Sequence, residues 1–400
     1  MDQRLHRLQV ENFRSLQRIS LPLGDLNVLV GPNGAGKTNV LKVFDFLARI
    51  IFTDLQPALN GIGGFGNVVF RGGEKAPTSI RINLTANWTQ HSRLDDLDEY
   101  ELRITRRARA GGRATLERAE SFAFQRSRGR RRTISVSGER ARVIDTTLDQ
   151  PPREQTIGIQ RLSSGLSTLP RLVDEAGSNE VATIADRLAS FRVFDVVVER
   201  ARTASRVPDG SVSLEPDASN LAAFLLTMAQ AYPQVWEKLV EDARTVLPNV
   251  QDIDFTFPSG PAHEVIVVLK ESGLRRPTQL ADASYGTIRL LGILALLHDP
   301  EPPPLTCIEE VDHGLHPQAL ELLVWRLRDA SQRTQLIIAT HSPTLADRLT
   351  PDEMIICERR MDGSSAIPAI SSAQIRNIVA ASGGQPLGEL WFSGALGGDL

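Results

Sequence analysis

Gly31-Pro32-Asn33-Gly34-Ala35-Gly36-Lys37-Thr38-Asn39 follows the apolar run Leu26–Val30 and precedes Val40–Ile51, where Val40, Val43, Phe44, Leu47, Ile50 and Ile51 share one helical stripe. A strand, a glycine-rich turn and a helix start in that order form the setting of a phosphate-binding loop. Its glycines let backbone N–H groups turn inward around phosphate oxygens, and the helix start adds the positive end of its dipole. Lys37 is placed to set a compact charge against the β- and γ-phosphates, and Thr38 to offer a hydroxyl to Mg²⁺. The candidate phosphate-binding set is therefore Asn33, Gly34, Ala35, Gly36, Lys37, Thr38 and Asn39.

The lysine matters because lysine is scarce. Of 45 basic residues, lysines stand only at 37, 42, 75, 238 and 270, which leaves 40 arginines. A GC-rich codon bias accounts for such a skew over most of a chain. One of five lysines nevertheless occupies the place where a phosphate cradle calls for an ammonium rather than a planar guanidinium.

Composition bounds the rest. Four hundred residues with 41% hydrophobic and 23% charged side chains suit one large α/β domain or two lobes and exclude wholesale disorder. A net charge of -3 excludes a globally basic nucleic-acid coat. Two cysteines, Cys307 and Cys357, lie in apolar runs and read as buried thiols of a reducing compartment. No window of 18 uninterrupted apolar residues occurs and the start lacks an apolar signal core, so a cytoplasmic protein without a membrane span is expected.

Along the chain, Leu5–Phe13 reads as a first strand, and alternating stretches such as Ile80–Leu84, Tyr100–Thr105 and Thr133–Val136 predict an antiparallel meander. Helical periodicity follows over Glu180–Arg202, Ser219–Tyr232 and Pro233–Leu247. Beyond Gly286 a buried helix gives way to alternating strands and helices, with strands at Leu305–Ile308, Gln335–Ala339 and Met354–Cys357, the sign of a helix-wrapped parallel sheet.

The strand Leu305–Ile308 ends in Glu309-Glu310. Two adjacent carboxylates there resist ionising together unless a cation joins them or they take different protonation roles. Glu309 is the candidate Mg²⁺ ligand and Glu310 the candidate base that polarises an attacking water.

These motifs reach a family. Val10-Glu11-Asn12-Phe13-Arg14-Ser15-Leu16, the GPNGAGKTN loop, Ile308-Glu309-Glu310-Val311-Asp312-His313-Gly314-Leu315-His316-Pro317 and Ile337-Ile338-Ala339-Thr340-His341-Ser342-Pro343 resemble the AAA-type ATPases of the RecF, SMC and OLD branch. The resemblance implies an α/β fold: an ABC/SMC-like P-loop ATPase head with an antiparallel β meander and an inserted helical lobe. It divides the chain into an ATPase lobe at 1–150, a mostly helical lobe at 151–260, and a second ATPase lobe at 261–400. It implies ATP and Mg²⁺ as cofactors. Ser284-Tyr285-Gly286-Thr287 looks like the family signature, through which one subunit contacts nucleotide in the other, with Tyr285 in place of the usual acid. His341 stands at the switch-histidine position, and Arg14 matches an arginine that reaches the phosphates in related ATPases. The catalytic set implied is Lys37, Glu310 and His341; Ser284 and Gly286 join the nucleotide-binding set, and Thr38 and Glu309 the metal set.

The function implied is an ATPase that dimerises around two ATP molecules and couples nucleotide state to DNA or to a separate effector protein, in DNA repair or anti-phage defence. The alternative is an ATP-gated, slowly hydrolysing or non-hydrolysing scaffold that regulates a separate nuclease or toxin. With 59 residues after His341, a fused Toprim nuclease domain is not expected. Residues 103–142 hold 13 arginines against Glu117, Glu120 and Glu139, which reads either as a DNA surface, with Phe122 and Phe124 offering stacking, or as a solvated or subunit-facing surface. Asp312, His313 and His316 resemble a metal cluster but overlap the family stretch, and Asp95, Asp96, Asp98 and Glu99 read as a solvated loop.

Overall fold

Strands β1 (Leu5–Phe13), β2 (Leu16–Pro22), β4 (Ser79–Ala86), β5 (Asp98–Ala108), β6 (Ala114–Ser127), β7 (Arg130–Ser137), β8 (Arg140–Thr146) and β9 (Arg153–Gly158) form an antiparallel sheet in the order β2-β1-β4-β5-β6-β7-β8-β9. The computed structural model describes residues 4–108, 114–127, 130–147, 151–171, 178–207, 210, 212–258 and 264–397. The chain forms two compact units. The first takes residues up to Phe191 with Pro351–Gly384 and those from Leu390, and the second takes Arg192–Thr350 with Gln385–Glu389.

In the first unit, alternation puts one side of the strands from β1 to β8 of this sheet inward, while β9 at its edge stays exposed. Leu8 and Val10, Ile80, Ile82 and Leu84, Tyr100 and Leu102, Phe122 and Phe124, Ile134 and Val136 are all buried. Helix α1 (Lys37–Thr53) lies on this side, with the Phe13 and Phe46 rings 5.9 Å apart, and the Phe44 ring meets Phe191 at 5.8 Å. The short strand β3 (Leu26–Val30) is buried at every position, as a strand covered on both faces requires, and pairs in parallel with Met354–Ile356.

The placement of Phe122 and Phe124 overturns the stacking role expected of them. Both rings are fully buried and lie against one another and Tyr100, so no base can reach them. The acidic run is also only partly solvated. Asp98 is fully buried and accepts from the backbone N–H of Thr89 at 2.7 Å and of Gln125 at 2.9 Å, closing the end of the β5–β6 pair.

In the second unit, Arg192–Phe194, Leu305–Glu309 and Gln335–Thr340 run parallel, with Val193 opposite Cys307 and Cys307 opposite Ile337. Arg192–Phe194 falls inside the span expected as one helix over Glu180–Arg202. The observed helix stops at Ser190, because the Arg192-Val193-Phe194-Asp195-Val196-Val197 run is β-branched and gains a strand partner in Leu305–Glu309. The helices Leu221–Ala231 and Pro233–Val246 follow, the second beginning on its proline. Helix Tyr285–Leu297 is buried at every position from Ile288 to Leu297. Cys307 and Cys357 are buried and form no disulfide among the described residues, as the apolar runs predict. Among the described residues, no helix is long and apolar enough to cross a membrane.

Candidate functional site

The loop between β3 and α1 is built on its glycines. Gly34 and Gly36 have φ of 82° and 102°, a region that favours glycine, and a Cβ on Gly36 would lie 2.2 Å from Ser365 Oγ and 2.7 Å from Ser15 Oγ. No side chain caps α1, whose first residue after Gly36 is Lys37. Lys37 is buried, and its Nζ donates to the carbonyl oxygens of Gly31 at 2.7 Å and Pro32 at 2.9 Å, which holds the ammonium inside the curve of the loop. Gly31 lies against the Cys357 carbonyl, where a Cβ would come within 2.3 Å. Burial pushes the Cys357 thiol up to about 12, so this sulfur is a packing group and not a nucleophile.

Beside the loop lies a cavity of about 440 Å³ lined by Arg14, Ser15, Asn39, Asn67, Arg71 and Arg359, among others. Asn39 Nδ2 donates to Ser15 Oγ at 2.7 Å, and Ser365 Oγ donates to the same oxygen at 2.7 Å. Arg14 has φ 51° and donates its backbone N–H to Val68 O at 2.5 Å, while its buried Nε has no hydrogen-bond partner. Arg359 Nη1 reaches Gly34 O at 3.4 Å. Three guanidinium groups and two amides thus face one space with no carboxylate among its described lining residues, an arrangement suited to an anion. Arg71 and Arg359 were not singled out from the sequence. Arg359 stands three residues beyond the strand Met354–Ile356, and the parallel pairing of that strand with β3 is what brings it to the loop.

In the second unit, Glu309 ends its strand half-buried and Glu310 turns out of it with φ 47°. Glu310 donates its N–H to Ala339 O at 2.9 Å, and its Oε2 lies 3.5 Å from His313 Nδ1. Ser284 caps the helix Tyr285–Leu297, its Oγ accepting from Thr287 N–H at 3.2 Å. Gly286 packs so closely that a Cβ would lie 2.7 Å from Gly314 O, and the ring of Tyr285 meets His313 edge-on at 6.0 Å. His341 is exposed just past its strand, while Thr340 Oγ1 donates to Asp312 Oδ1 at 2.6 Å and accepts from Ser342 N–H at 3.0 Å. His316 Nδ1 accepts from Gln318 N–H at 3.3 Å as a helix cap, and among the described residues no group of three or more metal-ligating side chains converges. The Asp312, His313 and His316 run is a turn followed by a capped helix.

The arginine-dense segment divides by face. Arg118 and Arg132 are buried, the first 3.6 Å from Glu120 Oε1, the second bonded to Asp145 at 2.6 and 2.8 Å and to Glu180 at 3.2 Å. That doubly held Arg132 keeps the Asp145 carboxyl below its ordinary range. Arg107 and Arg142 pair with Glu117 and Glu154. Arg126, 3.2 Å from Glu180 and 3.5 Å from Asp145, joins Arg130, Arg131 and Arg153 around a cavity of about 400 Å³ in which Asp145 is the one acid among the described lining residues. Arg109, Arg113 and Arg128 lie outside the described residues.

Comparison with known proteins agrees with this architecture. The chain is 26% identical over 364 residues to the OLD nuclease of Thermus scotoductus, covering 86% of this chain and 60% of that protein. A stretch of 116 residues is 30% identical to the DNA repair protein RecN of Xylella fastidiosa, and 68 residues are 41% identical to the DNA replication and repair protein RecF of Brucella abortus, covering 28% and 15% of this chain and 19% and 17% of those proteins. The fold matches a solved SMC head bound to the C-winged helix domain of ScpA, with a TM-score of 0.55 at 13% identity over 91% of this chain and 97% of that one. It also matches the Smc head of Pyrococcus furiosus with an extended coiled coil, bound to the C-terminal domain of ScpA, with a TM-score of 0.52 at 12% identity over 95% and 99% of the two chains. The fold is therefore that of an ABC/SMC-like ATPase head. A family model described as "AAA domain, putative AbiEii toxin, Type IV TA system" matches residues 26–347, and the chain belongs to that family.

Proposed function

We propose that this chain binds ATP with Mg²⁺ and hydrolyses it to ADP and phosphate, and that two copies close around two nucleotides to signal to DNA or to a separate effector. The observation that carries the reading is the loop at Gly31–Thr38. Its left-handed glycines, uncapped helix start and inward ammonium fit a phosphate chain, and Gly31 and Gly36 leave no room for a side chain. Hard oxygen donors on Thr38 and Glu309 fit Mg²⁺, which when bound offsets charge on the β- and γ-phosphates.

Each residue then has a task. Backbone N–H groups of Asn33 to Thr38 and the Lys37 ammonium hold the phosphates, and Asn39, Arg14 and Arg359 extend that hold into the adjoining cavity. Glu310 accepts the proton of the water whose oxygen attacks the γ-phosphorus as the bond to the β–γ bridging oxygen breaks. His341 donates to the γ-phosphate and orients that water. Ser284 and Gly286 meet the nucleotide held by the second copy. Positioning and charge neutralisation supply the rate, with no covalent enzyme intermediate.

Two substitutions test the reading together. Lys37→Ala is expected to abolish binding of a fluorescent ATP analogue. Glu310→Gln is expected to keep that binding while phosphate release falls by about 10²- to 10⁴-fold, the range typical of a lost general base. Full turnover by Lys37→Ala would refute the site. Wild-type turnover by Glu310→Gln, with binding intact, would move the base elsewhere and favour the gated-scaffold alternative if the rate is already slow in the unaltered protein.

A further inference from the structure

Helix Tyr285–Leu297 holds a charge where its surroundings are apolar. Residues from Ile288 to Leu297 are buried without exception, and Arg289 among them is 4% exposed. Its nearest carboxylate, Asp195, stands 3.8 Å away and is mostly exposed. The guanidinium is answered by backbone instead: Nη1 donates to Val196 O at 2.9 Å, and Nη2 donates to Glu310 O at 2.8 Å and to Glu309 O at 3.3 Å. A buried arginine with such partners is costly to keep for packing alone, and a leucine would fill the site without desolvating a charge.

What it grips is the backbone of the acid pair. Glu310 has φ 47°, a conformation disfavoured for a residue with a side chain, so it needs outside support. Its carbonyl takes one bond from Arg289 and another from His313 N–H at 3.0 Å, and its N–H is spent on Ala339 O. The first turn of the same helix touches the turn beyond the acids a second time. Gly286 abuts Gly314 O, Tyr285 meets His313, and a Cβ on Gly314 would lie 2.9 Å from the Tyr285 ring. Signature and acid pair are thus bracketed on two sides, by Tyr285 and Gly286 in front and by Arg289 one turn behind.

We propose that Arg289 is a positioning residue: it fixes the left-handed backbone of Glu310 from the signature helix, so that a displacement of Ser284–Gly286 is delivered to the carboxylate at Glu310. The proposal rests on the ATPase reading for its catalytic consequence, and on the second unit alone for its geometry.

Arg289→Lys keeps the charge and most of the volume but loses the fork that spans Val196 on one nitrogen and the acid pair on the other. The expected result is a phosphate-release rate lowered about 10- to 100-fold, with KM and ATP-analogue affinity within about twofold of wild type. Hydrogen exchange of the amides at 309–313 should rise while Leu305–Cys307 stays protected. In a Glu310→Gln background, Arg289→Lys should add no further loss, because both changes act through one carboxylate. Multiplicative losses in the double variant, a rate that falls only with the folded fraction, or exchange that rises equally along the strand would overturn the proposal. Arg289→Met serves as the second variant should the lysine fold poorly. If the unaltered protein turns over no ATP, the ATPase reading falls by the Lys37 and Glu310 tests, and the exchange experiment alone decides whether Arg289 sets the acid-pair backbone.

Discussion

Glu120 shows how far one residue's surroundings can depart from what its letter suggests. It reads as one of the few acids relieving a basic segment, yet it is fully enclosed, accepting from Gly165 N–H at 3.0 Å and Ser164 Oγ at 3.1 Å with Arg118 Nε 3.6 Å away. Burial pushes its carboxyl up to about 7 despite those partners. The sign follows from proton counting. Between about 4.5, where the unfolded carboxyl ionises, and about 7, the folded chain keeps a proton that the unfolded chain has lost, so stability falls as pH rises through that window and levels off above it. Glu120→Gln should remove this component. Thermal melts from pH 5 to pH 8 are expected to slope downward less in the variant than in the wild type, and parallel curves would place the titration elsewhere. The place of Lys37 inside the loop was legible from the sequence, because the motif carries its own backbone geometry. Phe122, Phe124 and Asp98 were not, since which side of a strand faces inward is set by its register with neighbouring strands and by what packs against the sheet, neither of which the strand's own letters carry.

At the scale of elements, the meander sorts its arginines into three fates that composition merges into one net charge. Arg132 ties β7 and β8 to the helix Ser178–Ser190 through Asp145 and Glu180, and Arg107 and Arg142 are matched by acids on neighbouring strands. Among the described residues, the rim formed by the ends of β6, β7, β8 and β9 gathers guanidinium groups in excess of its one described lining acid. If the proposed DNA contact exists, it belongs to Arg130, Arg131 and Arg153 rather than to the whole segment. Replacing all three by alanine should weaken duplex binding and flatten its dependence on salt by about 0.9 logarithmic units per phosphate contact removed. Unchanged affinity and slope in a titration over 50 to 200 mM salt would assign the rim to another role. The same contrast explains the helix that ended early. Helical spacing persists through Glu180–Arg202 on paper, but the β-branched run after Phe191 finds a parallel partner in Leu305–Glu309, more than 100 residues away, and tertiary pairing outweighs local periodicity.

For the molecule as a whole, the order of motifs was enough to read the fold, because the phosphate loop, the signature, the acid pair and the histidine occur in one sequence in the ATPase heads this chain resembles, and the solved SMC heads share its architecture over more than nine-tenths of its length. The linkages within each unit were less legible. Arg289 was a visible anomaly, a lone charge in a run of leucines and isoleucines, but its partners are carbonyls of Val196, Glu309 and Glu310 that sequence does not bring together. The same bracket bears on assembly. Ser284 spends its Oγ on the helix start, and Tyr285, 44% exposed, stands where the family more often has an acid. The exposed Tyr285 ring offers apolar area to a second copy. Glu310→Gln with ATP and Mg²⁺ should therefore shift from the mass of one chain to that of two in light scattering, and return to one when ATP is replaced by ADP. Tyr285→Ala in that background should weaken the shift without altering ATP binding by the isolated chain, since it removes the ring's apolar area from that contact. A two-chain mass that is indifferent to nucleotide, or to Tyr285→Ala, would mean that the copies meet through a different surface.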